Sequence, residues 1–259
     1  MESTNDAPTR CGMARFRVDG CIAAITGGAH GIGLATARLL SEAGARVLIL
    51  DRDPDAAQAA AAGLPNAASH SLDVSDAQAV DRVFETMRRE EGGLDILVNN
   101  AGISIRKSSD ELTLDEWNQV LTINLTGSFL CARAAARCMP AKGGSIVNTA
   151  SIMGLSGGGP YPNPSYHATK GAVVNLTRSL AVEWAARGIR VNAVAPTWTH
   201  TGFIGKLTDE VMTQVRAVTP LGRVAEAEEV ASAILFLASS ASAMVTGHIL
   251  AVDGGFLAQ

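Results

Sequence analysis

The sequence predicts an α/β fold, a single doubly wound parallel sheet of about seven strands with helices on both faces. Three observations predict it. Short, continuous apolar runs alternate with longer Ala-rich segments from residue 21 to the end. Charged residues are only 18% of the 259 and mean hydropathy is +0.18, so the chain can bury a large core and is not disordered. A glycine-rich turn separates the first apolar run from the segment that follows it.

Each element can be read in order. Residues 21–26 (CIAAIT) form a buried strand and residues 31–43 its helix. A second strand (45–51, ARVLILD) precedes a helix at 54–62, and a weak third strand precedes Asp73. A helix from 76 to 91 leads into the strand at 94–99 (LDILVN). Residues 114–138 read as one long helix stopped by Pro140, followed by a strand at 144–150. A helix at 165–186, a strand at 189–195, a helix at 226–239 and a strand at 248–252 complete the series. Strands this uniformly apolar belong in a sheet covered on both faces, and parallel neighbours need a helical crossover. Residues 154–165 (GLSGGGPYPNPS) and 197–218 break the rhythm and read as loops. No linker or repeat divides residues 16–259, which read as one domain; residues 1–15 read as a flexible tail.

Composition excludes several functions. A net charge of −4 and a pI near 5.7 do not suit a nucleic-acid surface. No apolar run approaches the roughly 18 residues of a membrane span, and the N-terminus lacks a secretory pattern. Cys11, Cys21, Cys131 and Cys138 show no CxxC spacing, so reduced thiols and a cytoplasmic location are expected. His30, His70, His167, His200 and His248 form no ligand spacing, so no metal is expected.

The turn Thr26-Gly27-Gly28-Ala29-His30-Gly31-Ile32-Gly33 opens directly into a helix. Its glycines allow backbone N–H groups to approach a pyrophosphate at the positive helix terminus. Asp51 ends the second strand 18 residues beyond Gly33, where a carboxylate would accept the adenosine ribose hydroxyls and repel a 2′-phosphate. That favours NAD over NADP, although Arg52 follows directly.

Five motifs in order now resemble the compact type of the short-chain dehydrogenase/reductase family, a Rossmann-type family, from about Phe16 to Gln259. They are the glycine turn, Asp73-Val74, Asn99-Asn100-Ala101-Gly102, Asn124 within INLTGSF, and Ser151 followed by Tyr166-His167-Ala168-Thr169-Lys170. The resemblance implies a catalytic tetrad of Asn124, Ser151, Tyr166 and Lys170. It implies cofactor contacts at Gly27, His30, Gly31, Ile32, Gly33, Asp51 and Arg52. Further contacts are implied at Asp73, Val74, Asn100, Ala101, Gly102, Tyr166, Lys170, Pro196, Thr199 and Thr201. Two departures stand out. Ser151 lies 15 residues before Tyr166, so the loop between them is enlarged, and Pro196-Thr197 replaces the family's Pro-Gly.

The chemistry follows from residue type. Tyr166 and Lys170 are i and i+4, so they share a helix face. A tyrosine pKa of about 10 must fall by about 3 for acid–base work near neutrality, and a nearby ammonium together with an oxidised nicotinamide would lower it. Tyr166 would exchange the proton, Ser151 would position the substrate oxygen, and Asn124 would support Lys170 through water as the family implies.

Candidate substrate residues are Ser104, Ser151, Met153, Tyr161, Asn163, Trp198, His200 and Phe203. Resemblance points to a polyol or sugar-alcohol dehydrogenase. The alternatives are a 3-oxoacyl-thioester reductase of the same family and a non-catalytic NAD-sensing regulator. Resemblance also suggests a homotetramer; some relatives hold a structural Mg²⁺ through their extreme C-terminus, but no carboxylate cluster accompanies Gln259 here, and the ending reads as an ordinary packed tail. Ala132, Ala134, Ala135, Ala168 and Ala172 would pack either across a subunit interface or under the sheet.

Overall fold

Alternation of side chains along the strands sets the layers. The computed structural model describes residues 12–202 and 208–259. Its strands are β1 (Ile22–Thr26), β2 (Arg46–Asp51), β3 (Ala67–Ser71), β4 (Ile96–Asn99), β5 (Gly144–Thr149), β6 (Ile189–Pro196), the short β7 (Thr199–His200) and β8 (Ala225–Glu226), and β9 (Ile249–Val252). Seven pair in parallel in the order β3-β2-β1-β4-β5-β6-β9, while β7 pairs with β8. The order reverses between β1 and β4. Helices therefore leave in opposite directions there and open a crevice at the carboxyl ends of the strands.

The helices are α1 (Gly31–Glu42), α2 (Pro54–Ala62), α3 (Ala77–Glu91), α4 (Leu114–Leu121), α5 (Ser128–Cys138), α6 (Pro164–Trp184), α7 (Asp209–Ala217) and α8 (Ala227–Ala238). Ala23, Ile25, Val47, Ile49 and Val98 point to one face, where Leu40 of α1, Ala57 of α2 and Ile234 of α8 cover them. Ala24, Leu48, Leu50 and Leu97 point to the other, beneath Phe84 of α3, Ala135 of α5 and Leu180 of α6. Ala132, Ala134 and Ala135 are buried in this second layer, whereas Ala168 is exposed.

The structure revises three sequence readings and bears out a fourth. The long helix expected over 114–138 is α4 and α5 joined by a π-helical turn at Thr122–Gly127. The wider turn carries the buried Asn124. The stretch 197–218, read as loop, contains α7, capped by the Thr208 hydroxyl accepting from the Val211 N–H (3.3 Å). Only Val215 of α7 is fully buried, so its apolar period is short and hard to see in sequence. Residues 12–15, expected in the flexible tail, belong to a 3-10 turn (Gly12–Phe16). The Ser240 hydroxyl donates to the Arg15 carbonyl (3.0 Å), and Phe16 stands 6.3 Å from the ring of Phe236. The weak strand before Asp73 is the sheet edge β3 (AASHS), only half-buried, which is why no apolar run marks it. Among the described residues no helix is long and apolar enough to cross a membrane.

Candidate active site

A cavity of about 570 Å³ opens at the carboxyl ends of the central strands, a volume suited to a small-molecule site. One end is built mainly from backbone. The hydroxyl of Thr26, at the end of β1, accepts from the N–H groups of Asn100 (3.0 Å) and Ala101 (3.1 Å). The Asn100 amide donates to the carbonyl of Gly27 (3.0 Å), tying the glycine turn to the loop after β4. Gly27, His30, Gly31, Ile32, Asn100, Ala101 and Gly102 all line the cavity.

Gly33 does not. A Cβ there would lie 2.2 Å from the Gly27 carbonyl oxygen, so Gly33 lets α1 pack directly on the turn and stands behind the wall. At Gly31, φ is +51° and a Cβ would meet Thr201 side-chain carbons at 3.1 Å, so the segment after β6 closes onto the turn. No side chain caps α1 at His30, leaving its first-turn amides available to an anion. Asp51 accepts from the N–H groups of Ala29 (3.2 Å) and Asp53 (3.3 Å) at the rim, beside the exposed Arg52. The Ser75 hydroxyl (2.6 Å) and amide (2.9 Å) donate to Asp73 and hold its carboxyl below the usual carboxylate range.

At the other end, side chains converge. Tyr166 and Lys170 occupy successive turns of α6, and Ser151 follows β5. The Ser151 hydroxyl accepts from the Met153 N–H (3.1 Å) and hydrogen-bonds Tyr166. Behind it, Gly154 presses on α6 so closely that a Cβ would fall 2.5 Å from the Lys170 carbonyl. Lys170 Nζ donates to the Thr149 carbonyl (2.6 Å) and stands 5.5 Å from the centre of the Tyr166 ring. Asn124 lies behind the cavity wall. It both donates to the Ile103 carbonyl (2.9 Å) and accepts from its N–H (2.8 Å), and also donates to the Thr169 hydroxyl (3.3 Å). The π-helical turn thus braces the loop after β4 against α6.

Burial dominates the titration of this group. It pushes the Lys170 ammonium down to about 8. It pushes the Tyr166 phenol up to about 12, against the smaller opposing effects of the Ser151 hydrogen bond and the Arg106 charge. The expected fall of the tyrosine pKa is therefore not produced by the protein alone. Desolvation of a phenolate outweighs the neighbouring charge until more positive charge is brought alongside.

The substrate residues divide. Asn163 donates to the Ser104 hydroxyl (2.7 Å), and Trp198 Nε1 donates to the Tyr161 hydroxyl (3.2 Å). Trp198 meets Phe256 edge-on at 5.6 Å, and Met153 packs in the same cluster. His200 is misplaced by the sequence reading. Along β7, Thr199 faces the cavity and His200 the opposite side, where Nδ1 lies 3.4 Å from Glu226. Phe203 lies outside the described residues. Pro196, Thr199 and Thr201 line the cavity, as does the departure residue Thr197.

Sequence reasoning missed Arg106 and His167, both cavity-lining. Residues 100–104 of the loop after β4 line the cavity consecutively and Ile105 does not, so no periodicity marked Arg106 in the sequence. His167 accompanies Tyr166 only through the turn of α6. Among the described residues no group of three His, Cys, Asp or Glu could hold a metal ion. Gln259 donates to the Val218 carbonyl (2.8 Å).

Residues 27–257 match a family model described as Enoyl-(Acyl carrier protein) reductase. The chain is 47% identical over 243 residues to a cis-4-hydroxycyclohexanecarboxylate dehydrogenase of Sinomonas cyclohexanicum, covering 92% of this chain and 96% of that one. It is 43% identical to an L-tagatose-forming galactitol 2-dehydrogenase of Cereibacter sphaeroides, covering 93% and 96%. A gluconate 5-dehydrogenase of Burkholderia cenocepacia, solved in complex with NADP and tartrate, superposes with a TM-score of 0.90 at 37% identity, covering 95% of this chain and 98% of that one.

Proposed function

We propose, from the premise that the chain belongs to the short-chain dehydrogenase/reductase family, that it interconverts a secondary alcohol of the polyol type and its ketone with NAD. The family makes it an oxidoreductase acting on alcohols. The observation that carries the finer reading is the convergence of Ser151, Tyr166 and Lys170 at one end of a cavity whose other end is a backbone cradle.

The residues present fit a nicotinamide dinucleotide. The first turn of α1 lacks a side-chain cap, and the cavity-lining Thr149 and Thr197 carry buried hydroxyls with no partner. Gly27, Gly31 and the amides of α1 would hold the pyrophosphate, and Asp51 the adenosine ribose. Lys170 would take the second ribose, and Thr199 and Thr201 the carboxamide. When bound, the nicotinamide supplies the acceptor or donor of hydride.

In oxidation, Tyr166 Oη takes the carbinol proton; in reduction it returns a proton to the carbonyl oxygen. Ser151 Oγ hydrogen-bonds that oxygen and fixes its distance from Tyr166. Lys170, held by Thr149, favours the phenolate by its charge. Asn124 keeps the Ile103 loop and α6 in register and supports Lys170 through water. The exposed Phe129 of α5 and Val182 of α6 are surfaces on which a homotetramer would assemble.

Absorbance at the reduced-nicotinamide band tests this across polyols, aliphatic secondary alcohols and aryl carbinols, with NAD and NADP in parallel. Turnover with NAD at least about tenfold better in kcat/KM is expected, because the Asp51 carboxylate repels a 2′-phosphate. Equal or better turnover with NADP would remove the Asp51 argument. Tight cofactor binding without turnover of any alcohol would favour a sensing role.

A further inference from the structure

The wall of the substrate end is two layers deep. Tyr161 and Trp198 line the cavity, joined by the hydrogen bond that Trp198 Nε1 donates to the Tyr161 hydroxyl (3.2 Å). Against Trp198, and not itself lining the cavity, stands the half-buried Phe256 of the segment after β9. Its ring meets that of Trp198 nearly at right angles (82°) with 5.6 Å between centres, an attractive edge-to-face geometry. The same ring reaches the loop between Ser151 and Tyr166, where a Cβ at Gly158 would come within 4.0 Å of Phe256 Cζ. Met153, Met212 and Val215 belong to the same apolar cluster, which brings α7 into contact with this wall.

Hydrogen bonds fix Phe256 where it stands. The Asp253 carboxylate accepts from the N–H groups of Gly255 (3.0 Å) and Leu257 (2.9 Å), folding Phe256–Ala258 into a 3-10 turn. The Leu221 N–H donates to the Gly254 carbonyl (3.1 Å), and the Gln259 amide donates to the Val218 carbonyl (2.8 Å). Both sides of the turn are thereby tied to the chain that leaves α7. A ring anchored in this way limits how far the Trp198 indole can withdraw from the cavity, because close-packed neighbours give little ground.

We infer that Phe256 determines specificity: by backing Trp198 it sets the size of the alcohol that the cavity admits beside Tyr166. This rests on the alcohol-oxidoreductase reading and names what limits the substrate within it. Phe256 acts through Trp198 and Tyr161 and is therefore a positioning residue. Truncating its ring leaves a void into which the indole can retreat, so the substrate end widens while the glycine turn at the other end keeps its shape.

The test measures size selection with and without turnover. The full chain, saturated with NAD or NADP, is titrated calorimetrically with cyclohexanone and with 4-phenylcyclohexanone, neither of which can be reduced by an oxidised cofactor. In Phe256→Ala the affinity for the larger ketone relative to the smaller should rise at least about fivefold, with a lesser rise in Phe256→Leu. The cofactor dissociation constant should stay within about twofold. In the kinetic arm, kcat/KM for 4-phenylcyclohexanol relative to cyclohexanol should rise by a similar factor, with the change falling on KM. An unchanged ratio, no measurable binding of either ketone, or an equal loss for both alongside weakened cofactor binding would overturn the inference. If Phe256→Ala does not fold, the ratio in Phe256→Leu decides. If alcohols turn over and the ratio stays fixed, only the Phe256 assignment fails. If no alcohol turns over, the oxidoreductase reading fails, while the ketone ratio still reports on Phe256.

Discussion

The two ends of the cavity are made of different material. At the glycine turn the lining is largely main chain, and its shape depends on what is absent: side chains at Gly27, Gly31 and Gly33. At the Tyr166 end the lining is side chains brought together across long separations, such as Ser104 with Asn163 and Tyr161 with Trp198. A backbone cradle recognises what all users of one cofactor share. A cluster of side chains can be exchanged residue by residue, so it is where one enzyme differs from its relatives.

The sharpest way to break that comparison is at the reacting atom. Tyr166→Phe removes one oxygen, and kcat/KM should fall about a thousandfold, equivalent to about 4 kcal/mol, while the cofactor dissociation constant stays within about twofold. Normal turnover would end the assignment. Next in size is Gly33→Ala at the cradle. One methyl group aimed 2.2 Å from the Gly27 oxygen should weaken cofactor binding about a hundredfold and cost about 1–3 kcal/mol of stability. Binding isotherms and thermal melts would measure both, and unchanged values would show the turn to be more pliant than drawn.

Lys170→Met tests how costly the catalytic end is to the fold. Burial depresses this lysine from 10.5 to about 8, so the folded protein carries the penalty of a buried ammonium in full below pH 8. The penalty is relieved as pH rises from 8 towards 10.5. The variant should therefore be more stable than the parent at pH 7 by up to about 3 kcal/mol, less about 1 for the orphaned Thr149 carbonyl. The gain should shrink above pH 8, and activity should be lost. A destabilised variant at pH 7 would mean that the Thr149 bond outweighs desolvation. The smallest effect is Tyr161→Phe, which removes the acceptor for Trp198. It should raise substrate KM a few-fold, for about 1 kcal/mol, without altering cofactor affinity.

The cradle was legible because its parts are local. Thr26 to Gly33 is one stretch of chain, and Asp51 and Asn100 sit at the ends of strands that the apolar runs already locate. Tyr166 and Lys170 were legible for the same reason, lying one helical turn apart. His200 was misread because facing depends on the phase of a two-residue strand that sequence does not announce. Asn124 was found as a residue but not as a brace, since its effect comes from a π-helical turn within what reads as an uninterrupted helix.

Sequence by itself determined the α/β order of elements, the place of the glycine turn between β1 and α1, and the identities of several residues that line the cavity. These depend on periodicity and on spacings shorter than a few helical turns. The tertiary structure decided that Arg106 lies over the Tyr161 ring, that Gly33 serves packing, and that burial raises the Tyr166 pKa. Each depends on the burial and geometry of groups separated along the chain, and only the closed sheet and its loops set those distances and exclude the water.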